Sequence, residues 1–426
     1  MTVKNELKLT LFCLVIGGVA GSVLWGFLKL MRFLMTLVWE TIPKTWDFTL
    51  YPLLICGIGG LLIGLFRKKF GDYPDELMVV FGKLKKRGTY DYQKILVLIA
   101  AALLPLVFGA SVGPEAGMTG IIVALCCWAG ENIRFARKNT EEFSHMASAV
   151  TLSVMFHSPL FGLFHETEGG NVQLPSRSKI YIYIVAIAGG MGAFLGLGAL
   201  FGSASEGFPS FETALPSGSD FLMMFVYMVA GIGLGFFFHV TERLFKNLAL
   251  RLPPVISELT AGLILGLIGV FFPMIMFSGE DQMAKLMTDY LLYAPMAMIG
   301  IAFLKVAMTN LCIRLGLKGG HFFPLIFAAA CLGYGIALFV YPGQADHAIF
   351  AAAVTAAATM GFSLKKPLAA AMLLIICFPI RMIIWLLLAA VVGAKIAGLF
   401  KAKAQEAAKP NREAGQKIVS DEMTGN

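Results

Sequence analysis

Long apolar runs separated by short polar breaks dominate this chain, and the runs set its fold class. Uncharged stretches cover Leu9–Leu28, Leu50–Phe66, Ile95–Val112, Ile180–Gly202, Phe221–Val240, Leu259–Phe277, Tyr290–Leu304, Phe322–Ala345 and Leu368–Ile380. Several reach the roughly 20 residues that a membrane-spanning helix needs, while others are shorter or broken by Gly and Pro. That mixture predicts an all-α, polytopic membrane protein with half-helices beside full spans. Leu9–Leu28 lacks a small-residue cleavage site leading into a soluble chain, so it is expected to stay as the first span with its N-terminus inside.

Composition agrees with this pattern. The 426 residues are 58% apolar and only 14% charged, well below the roughly 25% charged residues of ordinary soluble domains. The 46 glycines suit helices that approach closely within a bilayer. A net charge of +8 might suggest nucleic acid, but the basic residues lie in loops. Arg67, Lys68, Lys69, Lys83, Lys85, Lys86, Arg87 and Lys94 flank one connection, and Arg243, Lys246 and Arg251 another. Lys401, Lys403, Lys409, Arg412 and Lys417 fill the tail, whereas Ser203–Ser219 holds Glu206 and Glu212 with no Lys or Arg. The positive-inside rule puts the basic segments in the cytoplasm and Ser203–Ser219 outside. Nucleic acid is therefore not an expected partner; the lipid bilayer is. The seven cysteines and six histidines have no metal-like spacing, so no metal, disulfide framework or cofactor is expected.

Landmarks recur at a nearly constant offset. Gly113-Pro-Glu-Ala-Gly117 answers to Gly319-Gly-His-Phe-Phe-Pro324, and Ser158-Pro159-Leu160 to Lys366-Pro367-Leu368. Gly71-Asp72 answers to Gly279-Glu280, and Lys94 to Lys305. Two duplicated halves follow. The segment 67–94 is strongly basic while its counterpart 279–289 carries Lys285 against Glu280, Asp281 and Asp289. The halves are therefore expected to be inverted, a plan in which broken helices meet at a site near the membrane midplane. The expected organisation is a first half over 1–202, an extracellular connection over 203–220, a second half over 221–400 and a polar cytoplasmic tail over 401–426.

Glu115 is the candidate functional residue, being the only charge between Ile95 and Gly130. A carboxylate at bilayer depth costs roughly 2.5–3.5 kcal/mol even on permissive scales, and such groups mark ion or proton pathways. The Gly and Pro around it predict non-helical backbone, tolerated in a membrane where it is buried or lines a cavity. Broken helices present free N–H groups and the positive end of a dipole, which suits an anion. Gly113, Ala116 and Gly117 would offer amides from one half, and Gly320, His321, Phe322 and Phe323 from the other. Glu115 would occupy the anion position when ionised and vacate it when protonated or displaced.

Other readings use the same residues. Gly109-Ala-Ser111-Val-Gly113 matches a nucleophile pentapeptide, which would make an intramembrane serine hydrolase with His239 as base, although the run around it reads as membrane helix. A cation–proton transporter would share the inverted repeat but needs paired intramembrane carboxylates. His165-Glu166-Thr-Glu168 opens like a metalloprotease helix yet lacks the second histidine at i+4. It reads either as a solvated helix end or as a proton relay. His321 either turns toward the anion path or packs as a polar residue, and Lys305 is expected to snorkel or pair structurally.

The motifs together resemble the CLC family of chloride channels and proton–chloride antiporters. Gly113-Pro-Glu-Ala-Gly117 is similar to its gating-glutamate motif, Gly319-Gly-His-Phe-Phe-Pro324 to its Gly-Gly-x-Phe-x-Pro motif, and Phe156-His-Ser-Pro-Leu-Phe-Gly162 to Phe-Asn-Ala-Pro-Leu-Ala-Gly. The resemblance spans about residues 9–400 and implies a non-enzymatic, multi-pass transporter of chloride or other small anions in the cell membrane. It also implies a homodimer with one pore per subunit, cytoplasmic termini and Glu115 as the extracellular gate. The chain departs from the pattern in three places. Gly71-Asp-Tyr-Pro74 stands where the family has Gly-Ser-Gly-Ile-Pro, no Tyr follows Tyr341, and the inner proton glutamate falls near Glu168-Gly169. Glu168 is then the candidate inner proton site. Channel or proton-coupled antiporter, and chloride, fluoride or nitrate, stay open.

Overall fold

The computed structural model describes residues 3–44, 48–74, 92–132, 140–168, 177–205, 209–211 and 216–400. The tail 401–426 and the charged residues between 75 and 91 lie outside the described residues, as do Glu206 and Glu212. The first half runs α1 (Val3–Thr36), α2 (Tyr51–Phe70), α3 (Ile95–Val107), α4 (Glu115–Asn132), α5 (Thr140–Met155), α6 (Pro159–Thr167) and α7 (Arg177–Phe201). The second runs α8 (Gly218–Ala249), α9 (Ile256–Phe271), α10 (Glu280–Asp289), α11 (Pro295–Arg314), α12 (Phe322–Val340), α13 (Ala345–Leu364) and α14 (Pro367–Leu374), then α15 over 383–400. Among the described residues, seven segments are long and apolar enough to cross a membrane, and the chain is an all-α, polytopic membrane protein.

The duplication appears in the backbone itself. Left-handed residues recur at Gly71 and Gly279, Gly109 and Gly316, and His157 and Lys365, each pair 207 or 208 positions apart. These are the punctuation points where one helix stops and the next is aimed, so the same turns repeat in the same order. Counterpart helices meet antiparallel. Gly57, Gly60 and Gly64 of α2 press in turn on Leu263 in the middle of α9, on Glu258 in its first turn and on Val255 just before it. Ser158 Oγ of α6 donates to Met372 O of α14 at 2.8 Å, while the Lys366 ammonium donates to His165 O at the opposite ends. Proline opens α6, α11 and α14, where its fixed φ and missing N–H cost a helix nothing. Inside α3, Pro105 sits just before the helix ends at Val107.

Three sequence expectations change. Phe322–Ala345 is not one span: α12 ends at Val340, a Pro342–Gly343 turn follows, and α13 returns. Leu368–Ile380 is the short α14 plus a break before α15. Lys94 precedes α3, whereas Lys305 lies inside α11, so these two lysines are not repeat counterparts. Lys305 does not snorkel, and it forms no ion pair among the described residues. It is fully buried, and its ammonium donates to Ile275 O, Met276 O and Phe277 O at 3.0, 3.0 and 2.7 Å. Those carbonyls belong to the loop after α9, and Phe277 N–H in turn donates to Gly109 O at 3.2 Å. The lysine thereby braces the turn that leads into Glu115.

Candidate functional site

Two broken helices meet where the repeat predicts. Gly113 and Gly320 form an antiparallel bridge, each N–H donating to the other's carbonyl at 2.8 and 2.7 Å. The bridge aligns the N-termini of α4 and α12. The turn before it is held by Trp39 Nε1, which donates to Val107 O at 2.8 Å, and by left-handed Gly109, where a Cβ would press on Trp39 and Met276.

Glu115 is the first residue of α4, but its side chain bends across the bridge onto α12. The residue is 4% exposed, and its carboxylate accepts the Phe322 N–H at 2.7 Å through Oε1. Oε2 has no hydrogen-bond partner among the described residues. A carboxylate thus sits on the positive end of one helix at the start of another, where orphan N–H donors and the dipole favour negative charge. A Cβ placed on Gly320 or Gly113 would overlap this carboxyl group. Both glycines make room for it.

The predicted amide donors do not all serve alike. Gly113 and Gly320 spend their N–H groups on the bridge, so they shape the site and do not supply donors to it. Phe322 keeps its N–H on the carboxylate, and Phe323 follows it in the first turn of α12. Ala116 and Gly117 lie in the first turn of α4, with Gly117 packed on Ala102 of α3. His321 precedes α12, and its ring packs between Phe238 and Phe322, centroids 5.0 and 4.9 Å away. Phe323 stacks on Phe156 at 4.3 Å. This brings the Phe156–Gly162 motif against the site, a contact between residues far apart in sequence.

Behind Phe322 lies a second buried carboxylate. The Phe322 ring reaches Phe161 at 6.2 Å and His165 at 6.3 Å. Glu166 sits 9% exposed, with His145 Nδ1 at 2.8 Å from Oε2 and His165 Nδ1 at 3.2 Å from Oε1. Ser148 Oγ donates to Oε1 at 2.9 Å. His145 and Ser148 are three residues apart on α5, hence on one face, the signal that the sequence reading passed over. Glu168 serves elsewhere: its two oxygens accept the Leu368 and Ala369 N–H groups at 2.9 and 2.7 Å, capping α14. A single residue, Phe322, therefore touches Glu115 through its backbone and the Glu166 cluster through its ring.

On the other side of the glycine pair, Lys318 Nζ lies 2.7 Å from Asp72 Oδ2. Arg67 bonds both Asp72 and Glu258. Burial alone would push the Asp72 carboxyl up, but the Lys318 ammonium and Arg67 guanidinium outweigh it and hold the group below its usual range. Ser111, the hydrolase candidate, is buried with its hydroxyl 3.3 Å from that of Thr309, and His239 Nδ1 pairs with Glu242 at 3.2 Å on α8. The serine and its proposed base are engaged with different partners, and that reading goes no further.

Residues 59–398 match the family model described as Voltage gated chloride channel. A curated relative from Escherichia fergusonii, named "Putative ion-transport protein YfeO", is 26% identical over 354 residues, covering 78% of this chain and 79% of its own. A protein of the same name from Shigella boydii serotype 4 matches to the same extent. Among solved structures, a CLC-type fluoride/proton antiporter superposes with a TM-score of 0.75 at 18% identity, over 93% of this chain and 97% of its own. A slow cyanobacterial Cl-/H+ antiporter gives 0.74 at 19% identity, over 93% and 95%. At such identities these two structures speak for the fold.

Proposed function

The chain belongs to the voltage-gated chloride channel family, and from that premise we propose that it carries chloride and other small anions through a pore gated by Glu115. The observation that carries this reading is the Glu115 carboxylate on the Phe322 N–H, its second oxygen having no hydrogen-bond partner among the described residues. A carboxylate so placed imitates the cargo. An anion and the ionised side chain compete for the same amides at the start of α12, and the winner decides whether the pore is closed. Protonation weakens the side chain's hold, because a neutral acid gains little from a helix dipole. In this reading Phe322 and Phe323 donate to the anion, Ala116 and Gly117 add the start of α4, and Gly113 and Gly320 set the shape. His321 flanks the path with its ring.

A second reading, proton-coupled exchange, is favoured by the Glu166 cluster. A buried carboxylate between two imidazoles, one residue removed from the gate, can take and pass a proton. The proton role assigned from sequence to Glu168 then moves to Glu166, because Glu168 is engaged in capping α14. The two structural neighbours are named as proton antiporters of fluoride and of chloride, and both anions belong in the test.

The protein is further proposed to sit in the cell membrane as a homodimer with both termini cytoplasmic. The halves 1–202 and 221–400 would be joined outside by 203–220, and 401–426 would form a cytoplasmic tail. The charge asymmetry of the loops supports this sidedness. The test is purified protein in vesicles loaded in turn with chloride, fluoride and potassium gluconate, with anion efflux and external pH recorded together. Chloride or fluoride efflux above protein-free vesicles supports the reading, and proton uptake with it supports exchange. Efflux of neither anion refutes both.

A further inference from the structure

We propose that Glu280, at the head of α10, is an outer proton relay that takes a proton from the outside solution and hands it to Glu115. This rests on the gating reading above and adds to it the group that loads the gate.

Glu280 follows left-handed Gly279 just as Asp72 follows left-handed Gly71. The Asp72 turn ends the basic run Arg67, Lys68 and Lys69 of α2, the side where the positive-inside rule expects cytoplasm. With the halves inverted, its counterpart lies at the outer mouth. Packing brings that turn to the pore. A Cβ on Gly279 would come within 2.8 Å of the Phe327 Cβ. Phe327 lies on α12 beyond Phe322, whose N–H holds Glu115, and the five positions between them rise roughly 7.5 Å along the helix. The loop entering α10 also supports the arm that carries Glu115, since Phe277 N–H donates to Gly109 O and a Cβ on Gly109 would press on Met276.

The head of α10 is rich in acceptors and short of donors. Glu280 is half-buried, and its carboxylate has no hydrogen bond or ion pair among the described residues. Gln282 Oε1, in the same turn, is buried and likewise without a partner there, as is Glu115 Oε2. The charges that bear on Glu280 are those of Asp281 beside it and of Glu115, with Arg32 of α1 opposing both. The Cys377 thiol, in the break after α14, lies near enough to feel its charge. Two carboxylates within reach of each other favour holding a proton between them. The step is a proton transfer: the Glu280 O–H bond breaks, an O–H bond forms on Glu115, and the negative charge returns to Glu280. Neutral Glu115 then loosens its hold on the Phe322 N–H, and an anion takes its place.

The experiment is the pH profile of chloride efflux from vesicles holding the full chain, for wild type, Glu280→Gln, Glu280→Asp, Glu115→Gln and the double variant Glu115→Gln/Glu280→Gln. A neighbouring like charge makes a carboxylate easier to protonate. Without it Glu115 keeps its charge further into acid, so the midpoint of acid activation in Glu280→Gln should move down by roughly 1 to 1.5 pH units, the scale for two charges about 8 Å apart near a protein surface. Glu280→Asp should restore the wild-type midpoint, and in the Glu115→Gln background the second substitution should leave the pH profile unchanged. An unshifted midpoint in Glu280→Gln, or an effect on the pH profile that persists without Glu115, overturns the proposal. If Glu280→Gln does not fold, Glu280→Ser carries the same prediction. An unshifted Glu280→Gln beside a pH-independent Glu115→Gln sinks only the relay, whereas a Glu115→Gln protein that keeps its acid activation sinks the gating reading as well.

Discussion

Gly320→Ala offers a way to open the outer gate without touching its carboxylate. A methyl group on Gly320 would overlap the Glu115 carboxyl group, so the side chain must leave the start of α12. What it gives up is the hydrogen bond from Phe322 N–H at 2.7 Å. A hydrogen bond to a charged group is worth about 1.5–3 kcal/mol net, which converts to a rise of about 10- to 150-fold in the open population. The backbone bridge between Gly113 and Gly320 uses only main-chain atoms and is expected to persist. Chloride efflux from vesicles at pH 7 reads the change, with the flux of Glu115→Ala as its ceiling. In a Glu115→Ala background the alanine at 320 should add nothing, because the group it displaces is gone. A folded Gly320→Ala protein with wild-type or lower flux would refute the reasoning, since the glycine would then not be what lets the carboxylate dock.

Four further outcomes follow from the same geometry. Lys305→Met keeps the stem but orphans three buried carbonyls; at about 1–3 kcal/mol for each unsatisfied group, the denaturation midpoint in detergent should fall sharply, and an unchanged midpoint would contradict the bracing role. Glu166→Gln should abolish proton uptake while anion efflux continues, whereas Glu168→Gln should keep proton uptake and lower thermal stability; the reverse pattern would return the proton site to Glu168. Acidification should raise anion flux in the wild type, because the protonated Glu115 loses its charge. Since Lys318 and Arg67 hold the Asp72 carboxyl below its usual range, Asp72 stays ionised as the pH falls from 7 to about 5, above the roughly 3.9 of a free aspartate, so Asp72→Asn should retain the acid activation, and its loss there would show that Asp72 is the titrating group.

Much of this was legible in the sequence because membrane physics writes in large letters. Uninterrupted apolar runs announce spans, and a lone carboxylate among glycines stands out at Glu115. The repeat was visible from turn motifs, because Gly71-Asp72, Gly113–Gly117 and Ser158-Pro159 recur as Gly279-Glu280, Gly319–Pro324 and Lys366-Pro367, while the left-handed backbone at Gly109 and His157 and at Gly316 and Lys365 emerged only from the structure. Helix ends inside apolar sequence were harder. Pro342–Gly343 was the available signal for the break between α12 and α13, and α15 was hidden because Lys395 interrupts its run while sitting exposed on its surface. Pairing across about two hundred residues was out of reach. That Gly113 and Gly320 would satisfy each other, leaving Phe322 as the donor, depends on how two loops meet. So does the gathering of His145, Ser148 and His165 on Glu166, while Glu168 turns to cap a helix of the other half.

The most direct test of the central claim is chloride efflux from vesicles as a function of pH for the wild type and Glu115→Gln. The account predicts low wild-type flux that climbs as the pH falls, and high, pH-independent flux in Glu115→Gln. Equal flux with the same pH dependence in the two proteins would contradict it and remove Glu115 as the gate.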